Sequence, residues 1–312
     1  MADPIALAAL GLDAALGWPA SLYRRIGHPV GLFARLIGSC EVRWNRPQFS
    51  FATRRLLGVA TILLVGASVG SAAWLLQSWL LAQLGARGWI AVAILAWPAL
   101  AQRSLFAHVR AVADALDRQD LPGARTAIAA IVGRDTATLD ESGIARAAIE
   151  SLAESVSDGI AAPLFWLLLL GLPGVWVYKA INTADSLIGH REERWRAFGW
   201  AAARTDDLLN LVPARLSGLL LCLAGAGGWR TLWRDARNHV SPNAGWPEAA
   251  MAGALQLRLA GPIAYDGVMH AKLWIGNGRE NASALDIRHG LRITLGACGL
   301  LWLIAGCAAW AL

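Results

Sequence analysis

Charge is sparse in this chain. Asp, Glu, Lys and Arg make up 16% of its 312 residues while 56% are hydrophobic, whereas an ordinary soluble domain is about a quarter charged. That balance argues against a water-soluble enzyme and marks an integral membrane protein. Cysteine is scarce too: Cys40, Cys222, Cys298 and Cys307 form no CxxC pair, and three of them lie in apolar stretches where a thiol acts as a small hydrophobe. Neither a disulfide framework nor a zinc site is expected. The sequence lacks a GxxxxGK[ST] loop, an HExxH helix and a GxSxG elbow. Its six histidines, His28, His108, His190, His239, His270 and His289, are scattered without ligand spacing; His28, just before Pro29, is the one to watch as a general base. The formal net charge of +6 does not indicate nucleic acid, because the basic residues sit mainly between hydrophobic runs, as topology determinants do. IALAALGLDAAL near the N-terminus is interrupted by Asp13 and has no basic residues before it, so it reads as a short retained helix rather than a cleaved signal.

What is present divides the chain into an all-α, multi-pass membrane domain with re-entrant or broken helices and cytoplasmic helical segments. Residues 1–55 read as an N-terminal helix and a basic cytoplasmic loop, since Arg24, Arg25, Arg35, Arg43, Arg46, Arg54 and Arg55 face only Glu41. Residues 56–106 form a transmembrane hairpin turning at Gly85-Ala86-Arg87-Gly88, with Trp74, Trp79, Trp89 and Trp97 as interfacial or packing aromatics. Residues 107–290 form a catalytic region in which Ala107 to Asp158 reads as polar-faced helices, broken at Asp120-Leu121-Pro122-Gly123 and around Gly133 to Thr136, where Asp or Thr can cap the next helix. They also hold two interrupted apolar stretches. Ala161 to Ile181 breaks at Gly171-Leu172-Pro173-Gly174 into halves of about ten residues, each too short to cross hydrocarbon alone; it is either one kinked span or a re-entrant hairpin. Leu208 to Gly228 is open to the same two readings. Residues 291–312 form the last span.

The polar residues cluster where apolar helices begin or end. Arg146, Glu150, Glu154 and Asp158 recur every four residues, so one helical face carries a cation and three carboxylates beside hydrocarbon, where like-charge repulsion is severe. A divalent metal or cationic substrate would relieve it, with Arg146 as an internal counter-charge for Glu150; a hydrated surface face is the plainer alternative. Asn182 and Asp185, three residues apart, are either ligands or interhelical hydrogen-bonding glue. Arg204-Thr205-Asp206-Asp207 precedes an apolar segment, its two acids being a metal pair or helix caps. Ser241-Pro242-Asn243-Ala244-Gly245-Trp246-Pro247 is a connector, or a turn whose Pro247 starts a helix with backbone N–H groups open to an anion. Together they offer oxygen ligands for a hard cation and donors for phosphate.

GRDTATLDESGIARAAIESLAESVSDGIAAPLFW, INTADSLIGHREERWRAFGWAAARTDDLLNLVPARL and SPNAGWPEAAMAGAL, in that order, resemble the CobD/CbiB family of cobalamin-biosynthesis proteins, the adenosylcobinamide-phosphate synthases, from about Gly27 to Arg288. The resemblance implies an inner-membrane enzyme that joins a propionate of adenosylcobyric acid to (R)-1-aminopropan-2-ol or its O-phosphate, using ATP and Mg2+. Many relatives carry Gly-Asp-Pro where this chain has Gly17-Trp18-Pro19, so any role of that acid is absent here or falls to Asp13. The implied chemistry assigns Glu150, Glu154, Asp158 and Asp185 to metal and ammonium, with Asp206 and Asp207 completing the metal shell. Arg134, Arg204 and Arg215 would meet phosphate or the corrinoid carboxylate, with Asn182 beside them. Ser241, Asn243 and Gly245 would cradle a phosphate, and His28 or one of the acids would take the amine proton. ATP is cytoplasmic, which favours the hairpin reading of both broken stretches and a site facing the cytoplasm. Other late cobalamin-pathway enzymes are candidate partners. The rival functions are a Mg2+-dependent phospho-alcohol or prenyl transferase, whose paired Asp-rich repeats are not seen, and a non-catalytic corrinoid transporter or scaffold.

Overall fold

In a computed structural model the described residues are 4–133, 135–261, 263–265, 268–270 and 273–311. They are largely helical. The strands among them are two short antiparallel pairs, Leu259–Ala260 with Trp274–Ile275 and Ile263–Tyr265 with Val268–His270, set in a chain expected to be all-α. Helical stretches within Phe51–Asp117, Glu141–Ile188 and Ala284–Trp310 are long and apolar enough to cross a bilayer, and two bent helix pairs raise the count to five if each is one span. The chain forms two compact units: residues 1–101, 162–210 and 305–312, and residues 102–161 and 211–304.

The first unit is built on the 34-residue helix Phe51–Leu84. Ser50 starts it by accepting the Thr53 N–H (3.1 Å), and Gly85 ends it at φ 51°. Leu63, Trp74, Leu75 and Trp79 on this helix are exposed, while Ile62 and Val65 are buried, the pattern of a helix with apolar residues all round. The stretch expected to be a basic loop is instead helical over Val30–Trp44. Its spaced Ile37 and Cys40 join a core with Ile62, Val65, Ala180, Ile181, Ala184 and Phe198, so burial of that apolar stripe overrides the loop signal of its arginines. Ile5–Leu16 and Ala20–Trp44 meet at 104°.

The break at Gly171 is a reversal. Helix Ala162–Ile188 passes through a non-helical residue there, φ 66° and ψ −149°, a conformation that suits glycine. Eight residues apart in sequence, Gly174 and Trp166 nonetheless touch: a Cβ on Gly174 would lie 2.4 Å from the Trp166 carbonyl oxygen, whereas a continuous helix would separate them by about 12 Å. The two legs therefore fold back on each other, so Ala162 and Ile188 lie toward the same end. The Leu172 N–H, stripped of its helical partner by the break, donates to Gln77 Oε1 at 2.7 Å, which satisfies it inside an apolar setting.

In the second unit, Asp120 caps Leu121–Ala129 through the Gly123 N–H (2.9 Å) and Asp140 caps Glu141–Val156 through the Gly143 N–H (2.7 Å). Asp135 and Thr136 lie too early to cap the second helix; Thr136 donates instead to the Arg125 carbonyl at 3.2 Å. Helix Ala284–Ala311 is fixed near its start by Arg288, which bridges Asp114 and Asp117 on Gln102–Asp117.

Candidate functional site

In the first unit, Tyr178 and Asn182 on the second leg of the hairpin reach Trp200–Leu209 and the Asn210 that ends it, with Asp185 three residues further along the same helix. Asp206 is the centre of the resulting network. Its Oδ1 accepts from Asn182 Nδ2 (3.2 Å) and its Oδ2 from Asn210 Nδ2 (3.0 Å), while the Tyr178 hydroxyl donates to Asn210 Oδ1 (2.9 Å). Tyr178, Asp206 and Asn210 are buried. The Lys179 ammonium lies within electrostatic reach of both Asp206 and His28. His28 is half-buried, edge-on to Trp18 at 5.0 Å, and its Nδ1 accepts the Val30 N–H at 3.3 Å. Trp18 itself donates to the Gly27 carbonyl and contacts Trp97, closing the Gly17 to His28 turn. Asp207 accepts from Arg204 Nη1 at 3.2 Å. Asp185 Oδ1 lies 1.9 Å from where a Cβ of Gly189 would stand, so the carboxylate rests on a backbone that only glycine leaves open.

In the second unit, Glu150, Glu154 and Arg146 share the less buried side of Glu141–Val156, with Ile149, Leu152 and Ala153 packed behind. Arg146 lies over the Trp274 ring at 5.4 Å and Glu150 Oε1 accepts the Ala260 N–H at 2.8 Å. Asp158 falls in a π-helical turn, Ser157–Ala161, whose wider winding departs from the four-residue rhythm. Arg215 donates to Asn243 Oδ1 (3.0 Å) and stacks on Trp246. Ser241 Oγ accepts the N–H groups of Asn243 and Ala244, so the turn expected to present them to an anion uses them internally. Helix Gly245–Leu255 has Pro247 as its third residue, and Gly245 is required by packing: a Cβ there would lie 2.1 Å from the Ala236 carbonyl oxygen. Arg134 lies outside the described residues.

The profile of the family described as CobD/Cbib protein matches residues 6–294. The chain belongs to the CobD/CbiB family. Cobalamin biosynthesis protein CobD of Rhodobacter capsulatus is 51% identical over 307 residues, covering 96% of this chain and 95% of the relative. Relatives of the same name from Sinorhizobium sp. and Brucella suis biovar 1 are 47% and 46% identical, over 94% and 89% of this chain and 94% and 88% of their own lengths. No solved structure matches. The family assignment makes this a cobalamin-biosynthesis protein and gives the Asp206 network a biochemical setting. Tyr178 and Lys179 were not singled out in the sequence, although an ionisable residue in an apolar run, as in GVWVYKAIN, is itself a signal.

Proposed function

We propose that the protein is the membrane-bound synthase that forms the amide bond between a propionate of adenosylcobyric acid and (R)-1-aminopropan-2-ol or its O-phosphate. The observation that carries this reading is the family match over nearly the whole chain. A carboxylate oxygen leaves only after activation: it attacks phosphorus of ATP, expelling ADP or pyrophosphate, and the amine nitrogen then attacks the acyl carbon, expelling phosphate or AMP. The amine must first lose a proton. His28 is our candidate for that role: burial first, and the Lys179 charge second, favour its neutral imidazole, and Nδ1 would take the proton on releasing the Val30 N–H. Asp206 suits the incoming ammonium because only neutral amides bond its carboxylate directly, the Lys179 charge acting on it without bonding it. Asp185 and Asp207 flank the same helices.

Magnesium is tested by the donor set. Among the described residues no three His, Cys, Asp or Glu side chains converge as a metal group, which does not fit an all-protein cage. It does fit an ion carried by nucleotide phosphates, which needs only one or two carboxylates; Asp185 and Asp207, or Glu154 and Asp158, would supply them. Such an ion offsets charge on the phosphates. In this reading Asn182 and Arg204 shape the polar surroundings in the first unit and Arg215, Ser241, Asn243 and Gly245 those in the second, the protein lies in the inner membrane, and the chemistry takes place on the cytoplasmic side, where ATP is found. The return of Ala162 and Ile188 to one end supports that sidedness.

Purified protein given adenosylcobyric acid, the amino alcohol or its phosphate, ATP and Mg2+ should yield a corrinoid heavier by one amide-linked amino alcohol, with matching ADP or AMP by mass spectrometry. Unchanged corrinoid with all components present would overturn the reading. In a cysteine-free background, Ser186→Cys should react with an impermeant thiol reagent only after cells are opened; labelling of intact cells would contradict the sidedness.

A further inference from the structure

We propose that Arg54, Arg194 and Asn45 form a binding site for a phosphate ester that also carries a hydrogen-bond donor. In the first unit a cavity of about 590 Å3 is lined by Asn45, Pro47, Arg54, Glu193 and Arg194. Two polar atoms of these lining residues, Arg54 Nε and Asn45 Oδ1, are buried without a hydrogen-bond partner. The Asn45 amide cannot be turned to cure this. Its Nδ2 donates to the Arg194 carbonyl (3.0 Å) and Glu41 Oε1 (3.3 Å), which leaves Oδ1 as the orphan. A buried orphan is costly, more so on a charged group, so one donor and one acceptor on residues lining the same cavity call for a ligand that answers both.

An oxyanion answers Arg54, whose planar guanidinium suits phosphate oxygens. A hydroxyl or ammonium on the same ligand answers Asn45, and Glu193 in the wall favours such a ligand over a bare polyanion. Arg194 is already positioned: Nε and Nη2 bind Glu41 Oε1 at 3.2 and 2.9 Å, and its guanidinium lies 4.9 Å from the Trp195 ring centre. The same chemistry occurs in a soluble phosphate ester and in a phospholipid headgroup, and Arg54 stands in the first turn of the long apolar helix. The site goes beyond the amide-forming reading; because the probe resembles the amino alcohol phosphate of that reading, binding that Asp206→Asn abolishes and Arg54→Gln leaves intact would belong to the amide-forming site and overturn this one.

Full-length protein in detergent is titrated with O-phosphoethanolamine and with inorganic phosphate by calorimetry. The ester should bind more tightly than phosphate, and Arg54→Gln should weaken it at least about tenfold, or 1.4 kcal/mol, with Arg54→Lys intermediate. If the soluble ester does not bind, nanodiscs containing phosphatidylethanolamine should raise the melting temperature above phosphatidylcholine alone in the native protein and not in Arg54→Gln, which assigns the site to a headgroup. Should Arg54→Gln not fold, Asn45→Ala must erase the preference for the ester over phosphate. Equal responses of native and variant proteins to every probe would overturn the site.

Discussion

Asp206 in the first unit and Asp286 in the second are nearly sealed from water, at 8% and 2% exposure, yet they are held by different chemistry. Asp286 is gripped by the Arg279 guanidinium and by the Ser283 N–H and hydroxyl, each at 2.8 Å, a capping box at the start of Ala284–Ala311 with its charge matched. Asp206 is held by two asparagine amides, one steadied by Tyr178. A carboxylate whose task is structural gains from a guanidinium that offsets its charge. One whose direct partners are all neutral donors, with the Lys179 charge near it but not bonded to it, is less fully offset and open to an arriving cation.

The contrast can be strained from the structural side first. Asp286→Ala removes the cap and the pair with Arg279; because Arg279 is half-exposed, the loss should be about 2 kcal/mol, seen as a lower melting temperature with unchanged turnover per folded molecule. A fall in turnover at full folding would place Asp286 in the chemistry and erase the distinction. Gln77→Leu strands the Leu172 N–H at the hairpin reversal and should cost about 1–2 kcal/mol, with proteolysis appearing near Gly171; an unchanged melt would mean that water serves that N–H. The smallest effect is expected at Asp235. Hydrogen bonds from Arg234 hold its carboxyl below the ordinary value of 3.8, and it also accepts the Gly276 N–H at 2.8 Å. A lowered folded value means that the stabilisation is complete above pH about 4 and disappears as pH falls through the folded value. Asp235→Asn should therefore melt a little lower than the native protein at pH 7, the difference closing in acid; a difference that persists at pH 2 would show that charge is not its source.

Much of the fold was legible because hydrophobic runs and Gly-Pro breaks are local signals. Gly171-Leu172-Pro173-Gly174 announced an interruption, though only the contact of Gly174 with Trp166 turns an interruption into a reversal. Val30–Trp44 was obscured by arginines that suggested a loop, since the residues that bury Ile37 and Cys40 come from 140 positions further along as well as from the adjacent helix. The short strands near 259–275 carry too few residues for alternation to register. At the site, Asn182, Asp206 and Asp207 stood out as polar groups beside apolar helices, and the structure brings Asn182 onto Asp206. Tyr178 escaped notice because a lone tyrosine in an apolar run reads as core; its hydroxyl acquires meaning only when Asn210 arrives from the end of Trp200–Leu209. The four-residue rhythm of Arg146 to Asp158 was visible, but the π turn at Ser157–Ala161 depends on packing no periodicity records.

The most direct test is Asp206→Asn, which keeps the size of the side chain and removes its charge. Product formation by the purified variant, measured across a range of amino alcohol concentrations beside a thermal melt, should fall at least about 100-fold while the melting temperature stays within a few degrees of the native value. Turnover and amino alcohol KM both close to those of the native enzyme would contradict a role for Asp206 in receiving the ammonium, and would leave the amide-rimmed acid a structural group like Asp286.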